Sequence, residues 1–113
     1  MTDIIIAAMV DTSDVLTGIG RAPRIIIAKV QYNNVTNIEE IDVKWDETHE
    51  KEQEGLHHSN IAKFLKAYGI TDLVASGAGP DMQRMIEKLG IKLHMATGNY
   101  RSAIEAVAAQ SRS

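Results

Sequence analysis

The residues of this 113-residue chain best suited to chemistry fall into three groups. His57-His58 sets two adjacent imidazoles behind an acidic stretch that contains His49, and imidazole suits iron, zinc, copper or nickel. Neighbouring residues on a helix point about 100° apart, so His57 and His58 would share one metal only if the helix begins after them, with His49 swinging in as a third ligand. The alternative is a pair of ordinary helix-end histidines. In Gly18-Ile19-Gly20-Arg21-Ala22-Pro23, glycines flank a loop that delivers Arg21, with Arg24 close behind. A planar guanidinium there would hold a carboxylate, a phosphate or an anionic cluster, or else pair with the acidic stretch. The third group is the turn Ser76-Gly77-Ala78-Gly79-Pro80, which leads into a helix start where free N–H groups and the helix dipole favour an anion. Met82 stands where a dinucleotide motif has its third glycine, and no P-loop lysine follows, so the nucleotide signal fails. Thr97-Gly98-Asn99 forms a matching turn, and both turns also read as plain tight turns or helix caps.

Composition removes several functions. There is no cysteine, so disulfides, thiolate zinc sites, cysteine nucleophiles and cysteine-ligated iron-sulfur clusters are excluded. The 12 basic and 15 acidic residues give a formal net charge of -3, against the basic excess that phosphate neutralisation demands, so no nucleic-acid partner is expected. Apolar runs fall far short of the roughly 20 residues of a membrane span, and no basic-then-apolar leader opens the chain. These features read as a cytoplasmic protein of one domain over 1–113. Charge is uneven: residues 1–56 carry 5 basic and 11 acidic side chains, and residues 57–113 carry 7 and 4. Much of the acidity lies in Asp46 to Glu54, within a stretch read as a solvated, mobile loop over 46–56.

The elements that must position these groups follow from periodicity. Ile4 to Val10 is a continuous apolar run, the pattern of a central strand covered on both faces. Ile25 to Tyr32 reads as a second strand, Asn33-Asn34 as a turn, and the alternation through Val35, Ile38, Ile41, Val43 and Trp45 as the return strand of a hairpin. Ile61, Phe64, Leu65 and Tyr68 then fall at helical spacing before Gly69. A short strand over 70–75 precedes a helix opened by Pro80, carrying Met82, Met85, Ile86 and Leu89 and stopped by Gly90. A strand over 91–96 and a last helix through Tyr100, Ala103, Ile104 and Val107 complete the chain. Gly69-Ile70 with Ala75-Ser76-Gly77 recurs 21 residues later as Gly90-Ile91 with Ala96-Thr97-Gly98, implying two successive strand-loop-helix units. Right-handed crossovers make the last two strands parallel to the first in a five-stranded mixed sheet with an antiparallel meander and three helices. The carboxyl ends of four strands then share one rim, where open α/β sheets bind ligands.

The ordered set Gly20-Arg21-Ala22-Pro23, His57-His58 with Ile61-Ala62, Gly77-Ala78-Gly79-Pro80, Leu89-Gly90-Ile91-Lys92, and Thr97-Gly98 with Ala103-Ile104 resembles the dinitrogenase iron-molybdenum cofactor biosynthesis family. The resemblance runs over nearly the whole chain. It implies a ribonuclease H-like α/β fold and a non-catalytic carrier for an iron-molybdenum or iron-sulfur cluster precursor or a metal. Implied contacts are Gly20, Arg21, His57, His58, Gly77, Gly79, Thr97 and Gly98, with a protein partner also in view. Family members commonly carry His-Phe-Gly before Arg-Ala-Pro, where this chain has Gly18-Ile19-Gly20. A module for a small anion or a protein partner, without metal, is the alternative, and it makes Arg21 and the Gly77–Gly79 turn matter while His57 and His58 do not. Ribonuclease activity needs carboxylates on the central strands; Ile6-Ala7-Ala8 and Ala75-Ser76 supply none, so no enzyme is expected.

Overall fold

The computed structural model describes residues 4–47 and 54–110, the first three residues of the second segment by backbone alone. Strands β1 (Ile4–Val10), β2 (Arg24–Gln31) and β3 (Asn34–Asp42) are followed by a helical segment α1, described over 45–47, and by α2 (Glu54–Ala67). Then come β4 (Asp72–Ala75), α3 (Pro80–Lys88), β5 (Lys92–Met95) and α4 (Tyr100–Gln110). The sheet order is β3-β2-β1-β4-β5, with β1 antiparallel to β2, β2 antiparallel to β3, and β4 and β5 parallel to β1. The mixed five-stranded sheet expected from the sequence is the one observed.

The continuous apolar run of β1 reflects two covered faces. Residues 6–10 are wholly buried. Ala7 and Met9 pack with Ile61 and Leu65 of α2 and Ile86 of α3, while Ile6, Ala8 and Val10 pack with Ile104, Val107 and Ala108 of α4. Strand alternation thus sends successive residues into two separate cores, and helices lie on both sides of the sheet.

Both repeats of the Gly-Ile echo are helix ends of one kind. Gly69 has φ +64°, its N–H reaches the Lys66 carbonyl at 3.1 Å, and the Ile70 N–H reaches that of Leu65 at 3.1 Å. The Gly90 N–H reaches Glu87 at 3.0 Å and the Ile91 N–H reaches Ile86 at 3.2 Å in the same pattern, a Schellman motif that returns the chain to the sheet.

Three expectations are corrected. The hairpin turn sits one residue earlier than Asn33-Asn34: Tyr32 and Asn33 carry the positive φ values, 54° and 68°, and Asn34 already pairs with Gln31. The strand alternation does not run on to Trp45, and Ile38 is 54% exposed on the sheet edge. Lys44 turns the chain at φ +54°, Pro23 accepts from the N–H groups of Val43 and Lys44, and Trp45 is buried edge-on against Phe64 at 5.5 Å. That docking begins α1, so the helical segments number four among the described residues, not three. The span 46–56 is accordingly helical at both ends, and residues 48–53 lie outside the described residues.

Candidate functional site

The loop from Asp11 to Pro23 spans the rim, and backbone hydrogen bonds fix it there. The Ser76 N–H reaches Thr17 O at 3.0 Å, Ile19 N–H reaches Gly77 O at 3.0 Å, and Leu16 N–H reaches Gly98 O at 2.8 Å. At its root, Arg24 donates to the Asp11 carbonyl from Nε at 3.2 Å and Nη2 at 2.7 Å, to Asp14 at 2.7 Å, and to Glu40. The hydrogen bond that Arg24 donates to Asp14 raises the guanidinium pKa further above its ordinary value, with burial opposing and Glu40 assisting. Arg24 therefore anchors the loop and is not the ligand-facing guanidinium.

The loop's far end delivers Gly20 and Arg21 against α2. His57, only 3% exposed, places Nε2 at 2.8 Å from the Gly20 carbonyl oxygen. A carbonyl only accepts, so Nε2 carries the proton and donates. Gly20 has φ +93°, and a Cβ there would stand 3.4 Å from His57 Nε2 and 3.5 Å from Met82 Cε. Those are ordinary contact distances, so it is the left-handed backbone that calls for glycine at this position.

Beside this contact lies a cleft of about 250 Å³. Its walls are Ile19, Gly20 and Arg21 from the loop, His57 and His58 from α2, and Gly79 to Met82 from the start of α3. Arg21 is exposed, and among the described residues it makes no ion pair, so it is not tied to acidic groups there. Gly79 caps α3 without a side-chain hydrogen bond, and a Cβ at Gly77 or Gly79 would meet nothing within 4 Å. Gly79 leaves open space at the start of α3, where the first-turn N–H groups favour an anion, although Asp81 tempers the positive potential.

Of the residues singled out from sequence, Gly20, Arg21, His57, His58 and Gly79 meet in this cleft. Gly77 is not one of its lining residues and is bridged to Gly18. Thr97 and Gly98 lie outside it, with the Gly98 carbonyl accepting from Leu16. His49 lies outside the described residues. Helix α2 begins at Glu54, ahead of His57 and His58, so the condition for the two imidazoles to share one metal is not met. Among the described residues no group of three or more His, Cys, Asp or Glu is placed to hold a metal ion. Ile19, Asp81 and Met82 were not anticipated; the apolar Ile19 and Met82 at helix and loop spacing carry no signal that separates a cleft wall from core.

The sequence profile described as dinitrogenase iron-molybdenum cofactor matches residues 2–110. The chain belongs to the dinitrogenase iron-molybdenum cofactor family. No curated protein matches it in sequence. Solved structures share the family fold. The crystal structure called PH0822 has 19% identity and a TM-score of 0.75, covering 95% of this chain and 90% of its own. The apo form of the orange protein from Desulfovibrio gigas has 21% identity and a TM-score of 0.71, covering 94% and 88%. A Methanocaldococcus jannaschii protein provisionally assigned as a dinitrogenase has 14% identity and a TM-score of 0.71, covering 97% and 92%. At these identities the likeness is one of fold, and the family assignment rests on the profile match.

Proposed function

We propose that this chain is a non-catalytic carrier that holds an iron-molybdenum-type cluster, a cofactor precursor or a metal oxyanion in the cleft between the Asp11–Pro23 loop, α2 and α3. The observation that carries this reading is the convergence of Arg21, His58 and the uncapped start of α3 on one cleft at the carboxyl ends of the strands. The donor set fits an anionic cargo better than a ligated cation. There is no cysteine, and the Nε2 of His57 is committed to Gly20. The cleft is lined besides by a guanidinium, backbone N–H groups and the half-buried His58, groups that hold negative charge by hydrogen bonds. A ribonuclease H-like classification accords with the strand order, and the absence of carboxylates in the centre of β1 accords with a protein that does not cut nucleic acid. A cytoplasmic location and a protein that delivers or receives the cargo complete the proposal; no helix among the described residues is long and apolar enough to cross a membrane.

The test is elemental analysis of untagged protein purified without oxygen, with Arg21→Ala/His58→Ala as the comparison. Near-stoichiometric iron or molybdenum in the native chain and its loss in the variant is the expected result. No metal in either, even after incubation with iron, sulfide and molybdate, overturns the carrier reading. A second reading, a small-anion module without metal, is favoured by the commitment of His57 to the backbone, and it keeps Arg21 as the principal contact.

A further inference from the structure

Strand β3 closes one side of the sheet, and among the described residues β2 is its only strand partner. Seven of its nine residues are exposed, including Ile38 at 54%. The backbone N–H and C=O groups on its outer side therefore face no neighbouring strand, which makes β3 a template for another one. It carries neither the proline nor the lysine that commonly blunts such an edge.

The order of residues along β3 says what fits there. Asn34–Asp42 reads NVTNIEEID. Set antiparallel to itself about a two-fold axis at Ile38, the strand places Ile38 against Ile38 and, on each side of it, Asn37 against Glu39 of the second copy. Side chains so opposed stand about 5 Å apart. An amide donor then meets a carboxylate acceptor on both flanks of an apolar contact. Among the described residues the side chains of Asn37 and Glu39 have no hydrogen bond or ion pair of their own, so both are available. Moving the axis one residue forward sets Glu39 against Glu39, and moving it one residue back sets Glu39 against Val35. Like charges or a charge on an apolar group are unfavourable opposites, so the sequence selects the axis at Ile38.

The other charges nearby do not oppose the approach. Glu40 is ion-paired with Arg24 of its own chain, and Lys29 of β2 lies across from Asn37 on the face that Glu39 shares. A bulge at Thr36 and the acids Glu40 and Asp42 lie just outside the matched triplet, where they keep the pairing short. We propose that a second copy of this chain pairs with the free edge of β3, antiparallel about Ile38, forming a two-fold dimer with one continuous sheet. Both β3 edges are consumed at the axis, so this contact closes at two copies. The antiparallel pairing turns the two rims to opposite ends of the joint sheet, and the inference does not rest on the cargo proposed for the rim cleft.

The experiment is sedimentation velocity of the untagged full chain from about 10 µM to about 1 mM, the range suited to a small interface, with amide NMR at the same concentrations. A reversible monomer–dimer equilibrium is expected, with concentration-dependent shifts centred on residues 36–40. Mixing isotope-labelled and unlabelled chains should give contacts between copies from Ile38 to Ile38 and from Asn37 to Glu39. Ile38→Lys puts like charges on the axis, and Asn37→Glu sets a carboxylate against Glu39 twice, so each should weaken the dimer by about tenfold or more. Asn37→Lys, which meets Glu39 twice, should tighten it. Arg21→Ala should dimerise like the native chain. Ile38 and Asn37 are exposed, so their variants leave the fold intact, and an unchanged melting temperature of the monomer checks this. A monomer at every concentration, a dimer that Ile38→Lys and Asn37→Glu leave unaltered, or shifts centred on β5 or the rim would each overturn the proposal.

Discussion

His57 Nε2 donates a hydrogen bond of 2.8 Å to the carbonyl oxygen of Gly20, 37 residues earlier in the chain. This contact joins the interior of α2 to the loop that carries Arg21 and sets one wall of the rim cleft. A buried histidine thus positions its neighbours, while the adjacent guanidinium faces solvent.

Replacing His57 by Ala leaves the Gly20 carbonyl without its donor in a buried place and opens a void. The expected loss is about 2–4 kcal/mol in urea unfolding. His57→Gln, whose amide can still donate, should recover part of that loss. Equal destabilisation by the two variants would show that the ring volume, not the hydrogen bond, matters.

Gly20→Ala should destabilise by about 1–2 kcal/mol, because a side chain at φ +93° is strained. The unfolding midpoint measures it. A midpoint equal to the native one would contradict the left-handed backbone at Gly20.

Arg21→Ala should leave stability within about 0.5 kcal/mol, since the side chain is exposed. Its consequence should appear only in cargo or anion binding. A marked drop in melting temperature would reassign Arg21 to the scaffold.

Arg24→Gln should loosen the Asp11–Pro23 loop and cost about 1–2 kcal/mol, with faster hydrogen exchange at the Val15 and Leu16 amides. The folded-state pKa of Arg24 is raised, chiefly by Asp14, so its contribution is fully present below the ordinary guanidinium value and is lost only as pH rises through the raised one. The stability gap between native and variant should therefore be the same at pH 7 and pH 10. A gap that closes by pH 10 would contradict the assignment.

Leu65→Ala, at a wholly buried position beneath β1, should cost about 2–5 kcal/mol by calorimetry or urea unfolding. A smaller loss would mean that α2 closes over the void.

Local patterning determined much of this protein. The apolar run Ile4–Val10 required a strand with two covered faces, the Gly-Ile repeats required two similar helix ends, and right-handed crossovers then placed four strand ends on one rim. Gly20, Arg21, His57, His58 and Gly79 could be picked out because glycine, guanidinium and imidazole are legible residue by residue. Their roles were not legible. Whether an imidazole meets a metal or a carbonyl depends on where the helix starts, and the backbone that receives His57 lies 37 residues away. The pairing of Asp72 with His94 likewise came only from the parallel register of β4 and β5, which sets residues 22 apart on one face; a lone Asp opening the run DLVA was its one local sign. Periodicity reports which face a residue occupies, whereas long-range register and helix boundaries decide what that face meets. For that reason the architecture was written in the sequence, and the division between positioning groups and groups open to a ligand was decided by the tertiary structure.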